Sequence, residues 1–208
     1  MLLSAGLIAS GCGEKDEDTS ADLPEGCEAV ATPRAKDEQL RKPDEELSAN
    51  DHVTAVVETN CGTFEIGLDT ATSPRTTGSF AYLVDKGFYD ETSFSYIDGS
   101  VVQGGDPTGD RTGGPGYFID EPPPFKTEYT RGTVAMAKTE VEPTGRSGSQ
   151  FFIVYTADAG LQPQFALLGK VTKRFDVVNR IAQLRDPGSE SGAPRAPVVI
   201  GRITLRQG

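Results

Sequence analysis

Histidine occurs once in this chain of 208 residues, at position 52, and tryptophan is absent. A Ser-His-Asp triad would have to include His52, and no metal site built from several histidines can form. Cysteine is nearly as scarce, for Cys12, Cys27 and Cys61 are too few for a four-cysteine zinc site. Positive charge is short as well: 20 Lys and Arg face 31 Asp and Glu, a formal net charge of -11. The basic stripe that phosphate neutralisation requires is therefore missing, and nucleic acid is not an expected partner. What the chain does have is turn-forming residues, 24 Gly and 14 Pro, beside 36% hydrophobic residues. That balance suits one all-β domain with many tight turns, long enough to close its own core.

The acid is unevenly placed. Residues 1–50 hold 12 Asp and Glu against 5 Lys and Arg, a net -7, which leaves -4 for the remaining 158 residues. Residues 13–50 show little apolar periodicity and much Glu, Asp, Lys, Ala and Pro, the composition of a flexible acidic tether. Ahead of it, residues 2–9 are a short apolar run ending in Ala9-Ser10-Gly11-Cys12. A run of that length cannot cross a bilayer. Small residues before a cysteine resemble the end of a bacterial lipoprotein signal, although no Lys or Arg precedes the apolar run. Three segments are thus expected: 1–12 signal-like, 13–50 tether and 51–208 folded domain, with Cys12 the site of lipid attachment. The resemblance implies an extracytoplasmic protein lipid-anchored at the outer face of the bacterial cytoplasmic membrane, touching the membrane by that anchor only. With Cys12 acylated, Cys27 and Cys61 are an even pair in an oxidising compartment, for which a disulfide is the economical reading and two unrelated thiols the alternative.

From His52 on, the pattern turns to short alternating runs. Val53, Ala55 and Val57 alternate with polar neighbours, Asn60-Cys61-Gly62 breaks the run, and Phe64, Ile66 and Leu68 alternate again, a β-hairpin. A helix follows, with Ser73 as its cap, Pro74 in its first turn, Phe80, Leu83 and Val84 as its apolar face and Gly87 as its stop. Further strands are expected at 93–97, 100–103, 132–137, 149–155, 166–171 and 198–205. A second helix carries Phe175, Val178, Ile181 and Ala182 and ends before Asp186-Pro187-Gly188. Eight short strands with two helices predict a mainly β fold, a closed eight-stranded antiparallel barrel capped by the helices.

The Gly-rich stretch 104–116 lacks the Gly-Lys-Ser/Thr ending of a phosphate loop and carries Asp106 and Asp110. Those two carboxylates have no further ligands at calcium-loop spacing, so neither a metal nor another cofactor is expected. Its sequence does, however, belong to a set of ordered words: GFYDETSF (87–94), VQGGDPTGDRTGGPGY (102–117), RGTVAMAK (131–138), GSQFFIV (148–154) and ALLGKV (166–171). In this order they closely resemble the cyclophilin-type peptidyl-prolyl cis-trans isomerases, over about residues 53–206. The expanded 138–150 loop and the following DAGLQPQF look like a bacterial branch of that family.

The resemblance implies rotation about X-Pro bonds, whose barrier of about 18 to 20 kcal/mol reflects lost amide double-bond character. No proton transfer, metal or covalent step is needed. An apolar socket for the proline ring, hydrogen bonds to the flanking backbone and a donor against the imide nitrogen suffice, because that lone pair appears only as the bond twists. By strand periodicity Gln150 and Phe152 share one face, Val101 and Gln103 another, while Phe151 and Ile153 point inward. By resemblance Phe152 matches the socket floor, and Val101, Leu161 and Phe165 match its walls. Gln103 and Gln150 match the groups that orient the peptide, and Ala137 and Lys138 a segment that offers it backbone groups.

One departure stands out. Relatives carry Phe-His-Arg where this chain has Phe94-Ser95-Tyr96, and their arginine is the donor to the imide nitrogen. Here Tyr96 takes that place, Ser100 replaces a socket phenylalanine, and the turn between them is one residue shorter. A phenol is neutral and cannot fork as a guanidinium does, so the expected loss is about 10²- to 10³-fold in rate. Arg111 and Arg146, on nearby loops, are the less favoured substitutes. Tyr96, Gln103 and Phe152 are thus the expected catalytic residues of a weakened, monomeric isomerase acting on proline-containing segments of exported proteins. The alternatives are a surface lipoprotein that binds proline peptides without turning them over, and a structural lipoprotein whose groove is dead.

Overall fold

The computed structural model of the chain describes residues 23–44 and 46–208. The signal-like segment with Cys12, and the start of the tether, lie outside the described residues. Along the chain run β1 (Val53–Thr59), β2 (Gly62–Leu68), α1 (Pro74–Asp85), β3 (Thr92–Ile97), β4 (Val101–Asp106), β5 (Ile119–Asp120) and β6 (Thr133–Met136). There follow β7 (Arg146–Ser147), β8 (Phe151–Val154), β9 (Leu167–Lys173), α2 (Phe175–Ala182) and β10 (Val199–Gln207). Eight strands close into a barrel in the order β1-β10-β3-β4-β8-β6-β9-β2, and each neighbouring pair is antiparallel. The expected fold is what forms. The β5–β7 ribbon was not anticipated, since two residues per strand leave no alternation to read.

Alternation sends Val57, Phe64, Ile66, Val102, Val134, Phe151 and Ile153 into the barrel, where they are fully buried together with Phe80 and Leu83 of α1 and Val177, Val178 and Ile181 of α2. The helices thus close the barrel with the same apolar stripes that define them. Phe151 is the hub, meeting Phe80, Tyr89 and Phe94 edge-on at centroid distances of 6.0, 5.9 and 5.8 Å. Pairs of this kind contribute about 0.5 to 1.5 kcal/mol each beyond their burial. Gly105 makes room for this packing. Its φ is +81°, and a Cβ there would lie 2.8 Å from the Ser149 carbonyl oxygen and 3.0 Å from the Phe151 and Tyr89 rings.

The start of α1 departs from expectation. Ser73 occupies the cap position, but its side chain makes no capping bond. Glu121 does so from across the fold, its two carboxylate oxygens accepting the Arg75 and Thr76 N–H groups at 3.2 and 2.7 Å. A carboxylate at a helix N-terminus meets both free donors and the positive end of the dipole. Glu121→Ala is therefore expected to destabilise the domain by about 1 to 2 kcal/mol, read from its urea midpoint, with the groove still formed.

Residues 23–44 and 46–50, within the segment read as a tether, lie against the domain. The Cys27–Cys61 disulfide fastens the segment to the β1–β2 turn, and Leu23, Cys27, Leu40 and Leu47 pack on the core. Its backbone N–H groups at Glu28, Lys36, Leu40 and Leu47 donate to the carbonyls of Asn60, Pro107, Pro115 and Pro74. The Lys36 ammonium donates to the Phe88 and Asp90 carbonyls. Four apolar anchors at unequal spacing, satisfied by scattered loop carbonyls, leave no helical or strand period, which is why composition alone reads as disorder.

Candidate active site

One transverse row on the outside of the barrel assembles the site. Tyr96 on β3 pairs with Gln103 on β4, Gln103 with Phe152 on β8, and Phe152 with Ala135 on β6. Paired residues point to one side of a sheet, so Tyr96, Gln103 and Phe152 project into the same space. That space is an open groove of about 1260 Å³. All nine expected site residues line it: Tyr96, Val101, Gln103, Ala137, Lys138, Gln150, Phe152, Leu161 and Phe165.

Its apolar end is a small second core. Phe152, 3% exposed, rests against Val101, Ala135 and Val154, with Leu161 and Phe165 packed alongside. The Phe152 and Phe165 rings stand perpendicular at 5.3 Å. Sequence reasoning missed Tyr129, fully buried beneath them, with its ring 6.2 Å from Phe152 and 5.8 Å from Phe165. Its hydroxyl donates to the Phe165 carbonyl at 2.7 Å and accepts from the Phe165 N–H at 2.9 Å, clamping that loop. Burial pushes the Tyr129 phenol upward, while these backbone bonds oppose the shift. The available signal was a lone aromatic in the polar stretch 126–131.

The polar end is a relay. Gln103 Nε2 donates to Gln150 Oε1 at 2.9 Å, and Gln150 Nε2 donates to the Gly113 carbonyl at 2.9 Å. This leaves the Gln103 carbonyl oxygen as an acceptor facing the groove. Ala137, just past the end of β6, donates its N–H to the Gln150 carbonyl, which draws the 137–138 segment along the groove edge. Lys138 extends over the Phe165 ring, 5.5 Å from its centroid, and donates to the Thr139 and Glu142 carbonyls.

Tyr96 is placed less simply. Its hydroxyl donates to Asp98 Oδ2 at 3.3 Å, so its single donor is already engaged. One flank of the ring lies against Gly192, where any side chain would collide with it. Over the ring stands the Arg111 guanidinium, 5.0 Å from the centroid. Arg146, the other arginine considered, is held elsewhere by a bidentate pair with Asp120 at 2.8 Å.

The loop bearing Arg111 is heavily bonded. Asp106 accepts from the Thr108 N–H and hydroxyl and from the Arg111 N–H. Asp110 accepts from the Thr108 hydroxyl and from the Thr112 hydroxyl and N–H, which hold its carboxyl down at about 2. A carboxyl lowered in the folded state supports the loop above its unfolded value, and that support is lost as pH falls from about 4 toward 2. Both carboxylates are engaged by hydrogen bonds within the loop.

Chemically, the groove can seat an apolar ring on Phe152, orient a backbone through Gln103 and the 137–138 segment, and present hydrogen-bond donors beside it. No histidine lines it, and Tyr96 stays protonated because burial and then the Asp98 charge raise its phenol. The pH-rate profile of any reaction here is accordingly expected to be level from about pH 5 to about pH 9. A bell-shaped profile in that window contradicts this account of the groove.

Comparison with known proteins agrees with this geometry. The family described as cyclophilin type peptidyl-prolyl cis-trans isomerase/CLD matches residues 54–205. The peptidyl-prolyl cis-trans isomerase-like 1 of Neurospora crassa is 34% identical over 156 residues, covering 73% of this chain and 94% of the relative. A probable peptidyl-prolyl cis-trans isomerase B of Mycobacterium tuberculosis is 32% identical over 206 residues, covering 89% of this chain and 66% of the relative. Among solved structures, a Cryptosporidium parvum cyclophilin type peptidyl-prolyl cis-trans isomerase in the presence of the dipeptide Ala-Pro matches with a TM-score of 0.66 and 30% identity. It covers 74% of this chain and 99% of that one.

Proposed function

The chain belongs to the cyclophilin-type peptidyl-prolyl cis-trans isomerases, and from that premise we propose that its groove turns X-Pro bonds in exported proteins at a reduced rate. The observation that carries the site is the row Tyr96–Gln103–Phe152, which sets socket floor, orienting amide and the place of the donor side by side. The proline ring sits on Phe152 between Val101, Leu161 and Phe165, and Gln103 and Gln150 hold the flanking peptide. As the imide bond twists, its nitrogen becomes pyramidal and gains a lone pair, and a donor reaching it lowers the barrier. Turnover is reduced because the residue at the usual arginine position is a phenol whose hydrogen goes to Asp98.

Two features support an exported, anchored setting. The Cys27–Cys61 bond suits an oxidising compartment, and Cys12 follows Ala9-Ser10-Gly11 as an acylated cysteine would. On this reading the protein is a monomer held at the outer face of a cytoplasmic membrane by a lipid on Cys12. A diacylated cysteine counts as two chains, enough for lasting attachment. Recovering the protein from cells in the soluble cytoplasmic fraction with Met1 retained would sink this placement.

The second reading, a proline-peptide binder without turnover, is favoured by the same Tyr96. A turnover assay on an Ala-Pro peptide, run beside a binding titration of that peptide, separates the two. Acceleration above the uncatalysed rate is expected. Saturable binding without acceleration would leave the binder, and neither would leave a groove with no peptide function.

A further inference from the structure

We propose that Arg111 is a catalytic residue of this site, supplying from the 107–116 loop the guanidinium that β3 lacks. The proposal rests on the isomerase reading and identifies its missing donor.

Three observations carry it. The Arg111 guanidinium lines the groove and lies over the face of Tyr96, 5.0 Å from the ring centroid. Tyr96 is the β3 end of the row that runs through Gln103 to Phe152, so the guanidinium stands at that end of the row. Among the described residues the guanidinium has no hydrogen bond or ion pair and rests on the Tyr96 ring, so its fork of donors remains open to a ligand. Its position is also determined closely. Arg111 has φ of +71°, a conformation that non-glycine residues adopt at a cost and keep only where surroundings enforce it. Here Asp106 takes its N–H and Gln150 holds the Gly113 carbonyl. The Lys36 and Leu40 N–H groups clamp the carbonyls of Pro107 and Pro115 at either end of the loop, each at 2.8 Å.

Tyr96 then has a purpose consistent with its hydrogen bond to Asp98: it is a platform. A cation over a π face is held in place while its N–H edge remains available, which the phenol hydroxyl, turned to Asp98, is not. The docked segment 23–50 enters the same device as the clamp of the loop. The donor reaches the groove from a loop instead of a barrel strand, so its alignment is looser than that of a strand-borne arginine, consistent with turnover that is reduced rather than absent.

The test measures Ala-Pro peptide isomerisation and peptide affinity on the full chain and three variants. Glycine suits the positive φ at this position, so Arg111→Gly removes the side chain without straining the loop. Arg111→Gly is expected to lower the isomerisation rate by about 10- to 100-fold while peptide affinity changes less than about 3-fold, since the donor acts mainly on the twisted bond. Arg111→Lys keeps the charge without the fork and is expected to fall between the two. Adding Tyr96→Arg to Arg111→Gly is expected to restore the rate toward that of the unmodified chain, which a merely structural loss could not do. An Arg111→Gly protein as fast as the unmodified chain overturns the proposal, as does a rate loss that Tyr96→Arg leaves unrepaired in a folded protein. An unmodified chain that binds the peptide but never exceeds the uncatalysed rate overturns instead the isomerase reading beneath it.

Discussion

Phe152→Ala is expected to abolish both proline-peptide binding and turnover. Its ring is the floor of the groove, and it also joins Tyr129, Phe165, Val101 and Ala135 into the small core that shapes the socket. Truncation costs about 3 to 5 kcal/mol of packing, so the variant must be assayed below its own melting transition. Phe152→Leu separates the two effects. It keeps most of the volume and is expected to fold nearly as well as the unmodified chain, yet it loses the flat surface on which a proline ring stacks. Its affinity for an Ala-Pro peptide should fall several-fold with little change in urea midpoint. Undiminished binding by folded Phe152→Ala would remove the socket from this groove.

Breaking the Cys27–Cys61 bond is expected to have the largest effect on stability. The bond closes a sequence separation of 34 residues, for which the chain-entropy estimate is about 3 to 4 kcal/mol. In a domain of this size that corresponds to a fall of about 6 to 15 °C in melting temperature. A Cys27→Ser/Cys61→Ser protein should also lose protection of the segment 23–50 in hydrogen exchange. The Lys36 and Leu40 N–H groups, whose bonds to Pro107 and Pro115 then keep only Leu23, Leu40, Leu47 and the Lys36 ammonium as anchors, should exchange faster. An unchanged melting temperature would mean that the segment is held without the bond.

The barrel was legible because its strands are long enough for alternation to show: Val53, Ala55 and Val57, or Phe64, Ile66 and Leu68, each bury one face. A period of two puts Gln150 and Phe152 on one face and Phe151 and Ile153 on the other, and the structure buries Phe151 and Ile153 in the barrel core and Phe152 in the small outer one. What escaped shares one physical character, contact between segments far apart in the chain. Glu121 caps a helix 45 residues earlier, Tyr129 braces Phe165 across 36, and the 23–50 segment clamps a loop around residue 110 through single backbone bonds. None of these leaves a local period. Arg111 over Tyr96 belongs with them: the arginine at the usual position is missing from the sequence, but which loop arginine approaches Tyr96 is decided by a left-handed residue and a carboxylate five positions upstream.

The most direct measurement is exchange spectroscopy on an Ala-Pro peptide at millimolar concentration with the full chain, recording cis-trans exchange of the peptide and shift changes in the protein together. The account predicts exchange cross-peaks absent from the peptide alone, with perturbed resonances confined to the surroundings of Phe152, Gln103, Gln150 and Arg111. Shift changes at that groove without any gain in exchange, or exchange accompanied by perturbations elsewhere on the barrel, would contradict it.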